Sequence, residues 1–243
     1  LMELPALVIF CGVFLLGKRS HTTTEGCFLI LWSIHYVYRS LVYPLVLPGN
    51  NKHFPVLLIV FAVIFNSINA WINGYAVFTF HTYDASWLYD PRFLAGLFCF
   101  VTGLYIHIRS DSILRDLRKD KSTKYSIPRR FLFTYVTAPN YLGEIVQWIG
   151  WALLTWTLAG LAFAWFTVAN LLPRALSHHK WYRDRFDDYP DSRKAITTGP
   201  SVWWLQTHRL ARSTLYADSR HLCQGPLPTH QRGGQSGPAG RGH

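Results

Sequence analysis

Two apolar stretches of this chain carry polar side chains at helical spacing: Tyr36, Arg39 and Tyr43 in one, Asn66, Asn69 and Asn73 in the other. Both sets run at i, i+3, i+7, which places each on one face of an α-helix. A charged Arg at membrane depth costs at least about 3 kcal/mol on the most lenient scale, so it persists only where it faces a polar interior. A chain built this way has to enclose a polar cavity between helices whose other faces are dissolved in lipid.

The composition fits that setting. Half of the 243 residues are hydrophobic and 15% are charged, and the 10 Trp and 13 Tyr are of the kind that gather at bilayer interfaces. The formal net charge of +11 sits largely in short segments beside apolar runs, a pattern that topology explains better than nucleic-acid binding. Cys11, Cys27, Cys99 and Cys223 stand apart, with no Cys-x-x-Cys and no His at metal spacing, so neither a metal site nor a disulfide framework is implied.

Apolar runs fall at roughly 4–17, 27–47, 54–80, 93–108 and 144–173. The first is short for a bilayer core of about 30 Å, which takes about 20 residues. The last is too long for one span and is expected to break at Leu158-Ala159-Gly160, since Gly weakens a helix interior. The expected fold is therefore all-α, a polytopic transmembrane bundle with six spans. The basic loop from Arg109 to Arg130 and the segment carrying His178, His179, Lys180, Arg183 and Arg185 are both placed in the cytosol, as are Asn51, Lys52 and His53. His81 to Pro91 is then outside, and Lys18 and Arg19 run against the rule.

Three polar stripes meet the cytosolic face: Asp111, Arg115 and Arg118; Asn140, Glu144 and Trp148; Arg174, His178 and Tyr182. Each alone reads as a solvated helix pair or as first-turn capping. Together they favour one large polar ligand, because Arg174 and Glu144 would otherwise stand unpaired at the membrane boundary. Arg and His donate to phosphate oxygens, Asn and Asp pair with amides and ribose hydroxyls, and Tyr stacks on a flat ring, so a phosphorylated dinucleotide matches the inventory. There is no G-x-G-x-x-G, G-x-x-x-x-G-K-[ST], H-E-x-x-H or G-x-S-x-G.

The run from Arg109 to Arg193 carries S-D-S-I-L-R-D-L-R-K at 110–119, Y-S-I-P at 125–128, L-F-T-Y-V at 132–136, N-Y-L-G-E-I at 140–145 and D-Y-P-D-S-R-K-A at 188–195. With L-M-E-L-P at 1–5 and I-H-Y-V-Y-R-S-L-V-Y at 34–43, it resembles the steroid 5α-reductase family. The resemblance implies a seven-helix membrane enzyme that uses NADPH to reduce the Δ4 double bond of 3-oxo steroids. Its first helix is then expected upstream of Leu1. Position by position, the resemblance assigns Glu3 and Tyr36 to the pair that holds the 3-oxo group, and Phe65 and Asn69 to the substrate cavity. Around NADPH it places Asp111, Leu114, Arg118, Tyr125, Asn140, Glu144, Trp148, Arg174, His178 and Tyr182, with Lys52 and His107 at positions where human members have Arg and Asn. Arg39, Tyr43, Asn66 and Asn73 are left as supporting or helix-packing groups.

The side chains suit that chemistry. An enone reduction needs hydride at the β-carbon and a hydrogen-bond donor on the carbonyl oxygen, where negative charge develops. A Tyr hydroxyl can donate there, and a nearby carboxyl can orient it or, if protonated, donate as well. Polyprenol and very-long-chain enoyl thioester reductases of the same superfamily, a membrane S-adenosylmethionine-dependent methyltransferase, or a non-catalytic lipid-binding protein, are the competing expectations. The expected setting is the endoplasmic reticulum in a eukaryote and the inner membrane in a bacterium. Residues 1–196 are expected to form the transmembrane domain, and 197–243, rich in Gly, Pro, Gln, His, Arg and Ser, to be a disordered polar tail.

Overall fold

The computed structural model describes residues 2–17, 20–46, 55–119 and 126–196, with nothing for the side chains of Arg118 and Lys119. The expectations for Lys18, Arg19, Asn51, Lys52, His53, Tyr125, the Arg118 side chain and the 197–243 tail fall outside the described residues.

Six helical runs follow the apolar stretches of the sequence. Helix α1 is Leu4–Leu16, opened by Glu3 as N-cap and a Pro in its first turn. Helix α2, Thr23–Val37, starts on a capping box in which Thr22 and Glu25 exchange side-chain and backbone hydrogen bonds, and it runs through a wide π turn at Tyr38–Val42 into Tyr43–Val46. Helix α3, Val56–Tyr75, also ends in a π turn, Ala76–Phe80. Helices α4, α5 and α6 are Pro91–Lys119, Pro139–Thr155 and Leu158–Arg185. By length and hydropathy Val56–Phe80, Pro91–Leu117 and Leu158–Arg185 can each cross a membrane, and Leu4–Leu16 is a shorter apolar helix.

The break in the last apolar tract comes earlier than Leu158-Ala159-Gly160. Trp156 takes the left-handed conformation at φ 50°, closing α5, and the Thr157 side chain then accepts from Gly160 N at 3.0 Å to start α6. Gly160 is thus the third residue of a capped helix, and the chain turns on the residues before it.

Helices α4 and α5 touch backbone to backbone. Gly96 and Gly103 on one and Gly143 and Gly150 on the other are seven residues apart, two helical turns, so each pair lies on one face. A Cβ at Gly143 would sit 2.5 Å from the backbone nitrogen of His107, and one at Gly150 would sit 2.5 Å from that of Phe100. Only glycine permits this approach, and it fixes the register that sets His107 and Asp111 opposite Asn140 and Glu144. Around this pair Phe10, Phe28, Trp32, Trp148, Trp151 and Phe163 form a buried aromatic core.

The end of the bundle near the α5–α6 break is closed by side-chain donors on backbone carbonyls. Tyr83 OH donates to Thr155 O at 2.6 Å, Trp87 Nε1 to Leu154 O at 2.9 Å, and Thr24 Oγ1 to Asp84 O at 2.8 Å. Arg92 lies over the Trp87 and Trp156 rings and bonds Asp90 through Nε and Nη2 at 2.9 and 2.8 Å, which pulls the Asp90 carboxyl down to about 2.

Candidate functional site

Four helices bring charged side chains to the other end of the α4–α5 pair. Glu3, at the mouth of α1, receives two hydrogen bonds from Arg39 on α2: Nε to Oε2 at 3.1 Å and Nη2 to Oε1 at 2.7 Å. The planar guanidinium fork matches a carboxylate edge, which makes this the strongest kind of side-chain pair and fixes the plane of the Glu3 carboxylate. Arg39 sits in the π turn of α2, where an inserted residue widens the helix and changes the direction of the following side chains. Ser40 donates to the Tyr36 carbonyl in the same turn, and the guanidinium lies 5.6 Å from the centre of the Tyr43 ring.

The third guanidinium nitrogen faces Asp111 Oδ2 at 4.0 Å, and the polar network continues from there. Asp111 and His107 are one turn apart on α4, with His107 Nε2 3.5 Å from Asp111 Oδ2. Across the glycine contact, His107 Nδ1 lies 3.2 Å from Asn140 O and 3.8 Å from Glu144 Oε2, while Asn140 Nδ2 donates to Asp111 Oδ1 at 3.4 Å. Glu3, Arg39, Asp111, His107, Asn140 and Glu144 therefore form one chain of charge and hydrogen bonding across α1, α2, α4 and α5. Glu144 faces His107 here, and Arg174 is exposed on α6.

Tyr36 is buried at 3% exposure, its ring 4.9 Å from those of Trp32 and His35 and 6.0 Å from that of Trp148. Glu3, Glu144 and Arg39 are the charges that act on its hydroxyl. His35, behind it, bonds Gln147 Oε1 through Nδ1 at 3.2 Å. Trp148 belongs to the aromatic core, with its ring 4.4 Å from that of Phe163 and 1% of its surface exposed. Phe65 on α3 stacks on Phe166 of α6 at 4.2 Å. Leu114 lies part-buried one turn beyond Asp111. His178 packs against Tyr141 of α5 at 5.7 Å, and Tyr182 stacks on Tyr189 at 5.6 Å, which holds the last turns of α6 beside the start of α5.

Several buried polar atoms in this region have no hydrogen-bond partner among the described residues: Tyr38 OH, Asn69 Nδ2, His107 Nε2, Ser110 Oγ, Asp111 Oδ2 and Gln147 Nε2. Folded proteins pair nearly all such groups, so a cluster of them makes this end a candidate place for a polar ligand. Its mixture of hydroxyl, imidazole, carboxylate and amide fits a group with ribose hydroxyls and a carboxamide.

Sequence spacing located Tyr36, Asn69, Asp111, Asn140 and Glu144. It did not single out His35, Tyr38, Ser110 or Gln147, and it left Arg39 as a supporting residue. Gln147 follows Asn140 and Glu144 at i+7 and so continues the same helix face, a signal the sequence does carry.

The site is an ionic cluster spread over four helices beside a buried aromatic core. Comparison with known proteins gives the family. Residues 52–203 match the family described as 3-oxo-5-alpha-steroid 4-dehydrogenase. The chain is 44% identical over 200 residues to steroid 5-alpha-reductase DET2 of Solanum lycopersicum, covering 80% of this chain and 77% of that one. It is also 44% identical over 196 residues to 3-oxo-5-alpha-steroid 4-dehydrogenase 1 of Homo sapiens (80% and 75% covered) and 42% identical over 197 residues to the human protein numbered 2 (81% and 77%). The chain belongs to the 3-oxo-5-alpha-steroid 4-dehydrogenase family and is an oxidoreductase.

Proposed function

We propose that this enzyme reduces the Δ4 double bond of a 3-oxo-Δ4 steroid, of the testosterone or progesterone type, to the 5α product, with NADPH as reductant. The observation that carries the reading is the bidentate Glu3–Arg39 pair, which joins the proposed 3-oxo pair to Asp111 and the proposed cofactor face. His107, Asp111, Asn140 and Glu144 would hold NADPH, with Arg174, His178 and Tyr182 of α6 closing over it. Lys52, Leu114, Arg118, Tyr125 and Trp148 complete the proposed set. The orphaned His107 Nε2, Ser110 Oγ and Asp111 Oδ2 support that placement.

NADPH, when bound, supplies the hydride that is added at C5. As the C5–H bond forms, the C4=C5 π electrons move toward the 3-oxo oxygen and charge accumulates there. The Tyr36 hydroxyl donates a hydrogen bond to that oxygen, and a preorganised donor of this kind is worth about 10² to 10³ in rate. Two bonds from Arg39 satisfy the Glu3 carboxylate, which leaves the single Tyr36 O–H proton for the 3-oxo oxygen. A proton taken up at C4 from solvent returns the electrons to carbon and completes the reduction. Trp32, Trp148 and Phe163 exclude water from this end of the cavity, with Phe65 and Asn69 on its α3 wall.

Residues 1–196 constitute the catalytic unit in this reading. The enzyme is embedded in the bilayer with its cofactor end and basic loops in the cytosol, in the endoplasmic reticulum of a eukaryote or the inner membrane of a bacterium. Purified enzyme incubated with testosterone or progesterone and NADPH is expected to give the 5α product. Reduction of a polyprenol or a long-chain enoyl thioester in place of the steroid, or methyl transfer from S-adenosylmethionine, would overturn the assignment.

A further inference from the structure

A directed line of hydrogen bonds runs through the middle of the bundle. Trp151 Nε1 lies 3.0 Å from the Asn73 side chain, and an indole N–H can only donate, so the atom it meets is Asn73 Oδ1. That leaves Asn73 Nδ2 as the donor on the opposite side of the amide, where it reaches both Asn69 O and Asn69 Oδ1 at 3.1 Å. Asn69 is oriented in turn. Its oxygen is taken, so its nitrogen points away from Asn73, where it makes no well-formed hydrogen bond among the described residues but acts as a donor toward the Tyr36 oxygen. Beside it lies the Tyr36 hydroxyl. Three residues thus fix which way one amide faces, and the order ends in an NH2 group beside the proposed catalytic tyrosine, with more N–H than the Tyr36 oxygen takes up.

A buried donor without an acceptor is costly, and two donors pointing at one space define a seat for an oxygen with two lone pairs. We infer that Asn69 Nδ2 is a second hydrogen-bond donor to the 3-oxo oxygen of the steroid, alongside Tyr36, and that Asn73 and Trp151 are positioning residues that hold it there. The inference deepens the reading given under the proposed function and rests on it. It makes ketone recognition a property of α3 and α5 as well as of α1 and α2. A steroid with no oxygen at C3 leaves both donors unpaired in an apolar cavity and is discriminated against on binding, before any chemistry.

The test compares the affinity of a 3-oxo steroid with that of its 3-deoxy counterpart in the detergent-purified full chain, together with turnover. In the parent enzyme the 3-oxo steroid binds more tightly. Asn69→Leu, which keeps the volume and removes the N–H, is expected to cut that preference at least about tenfold and kcat by about 10- to 100-fold, the scale of one lost oxyanion donor. NADPH affinity stays within about twofold. A general loss of packing would weaken both steroids equally, so an unchanged preference overturns the inference. Asn73→Asp keeps the acceptor for Trp151 but cannot donate to Asn69, and should lose part of the preference. If Asn69→Leu fails to fold, Asn69→Asp, the same shape with an acceptor in place of the donor, gives the same reading. Absence of steroid reduction by the parent enzyme would instead count against the proposed function.

Discussion

The two ends of the α4–α5 pair solve the same problem in opposite ways. At the end near the α5–α6 break, polar side chains are spent on the backbone: Tyr83 and Trp87 reach the last carbonyls of α5, and Thr157 caps α6. At the other end the side chains are charged, they pair with one another, and Tyr38, His107, Ser110 and Asp111 keep buried atoms that make no hydrogen bond among the described residues. Both ends need the same glycine-to-glycine contact. The difference teaches that the shared helix pair supplies rigidity, while unsatisfied polar groups are concentrated where the cofactor is proposed to bind.

That contrast can be broken most forcefully at Tyr36 and Glu3. Tyr36→Phe and Glu3→Gln should each lower kcat by about 10² to 10³ while NADPH affinity, read by fluorescence titration, is kept. Loss of NADPH binding in both would move them from the steroid to the cofactor. Gly143→Ala attacks what the two ends share. The new Cβ meets the His107 backbone, and overpacking should destabilise the fold by about 1 to 3 kcal/mol, seen as a lower midpoint of thermal unfolding in detergent, with cofactor affinity falling as His107 shifts. At the closed end the smallest change is expected. Tyr83→Phe leaves the Thr155 carbonyl without its side-chain donor, and should cost about 1 kcal/mol of stability with kcat unaltered. A fall in kcat comparable to that of Tyr36→Phe would mean the two ends are not separate in function.

Much of this organisation was legible in the sequence, but unevenly. Apolar runs and the i, i+3, i+7 polar stripes give the helices and the faces that turn inward, because both depend on local periodicity. The Asn69 and Asn73 spacing led directly to two side chains that do bond. What periodicity does not carry is the partner on another helix. Nothing local tells Arg39 to choose Glu3, which depends on how α1 meets the π turn of α2, and so a residue read as support stands at the centre of the ionic network. Trp148 shows the same limit: spacing puts it on the face of Glu144, and only the neighbouring helices reveal that it packs into the aromatic core. The seven-residue spacing of Gly96 with Gly103 and of Gly143 with Gly150 was present in the chain, yet a small residue signals contact only once the opposing helix is known. The α5–α6 break came at Trp156 because a left-handed residue followed by a Thr cap is a matter of backbone geometry, and Gly160 was the more visible but later cue.

The most direct test of the central claim, that this polar end aligns a nicotinamide against a 3-oxo-Δ4 steroid, follows an isotope. Testosterone is incubated with the purified enzyme and NADPH deuterated at both C4 positions of the nicotinamide, and the product is read by NMR. The account predicts deuterium at C5 on the α face and solvent hydrogen at C4. Deuterium at C4, or turnover of the steroid with no label transferred, would contradict it.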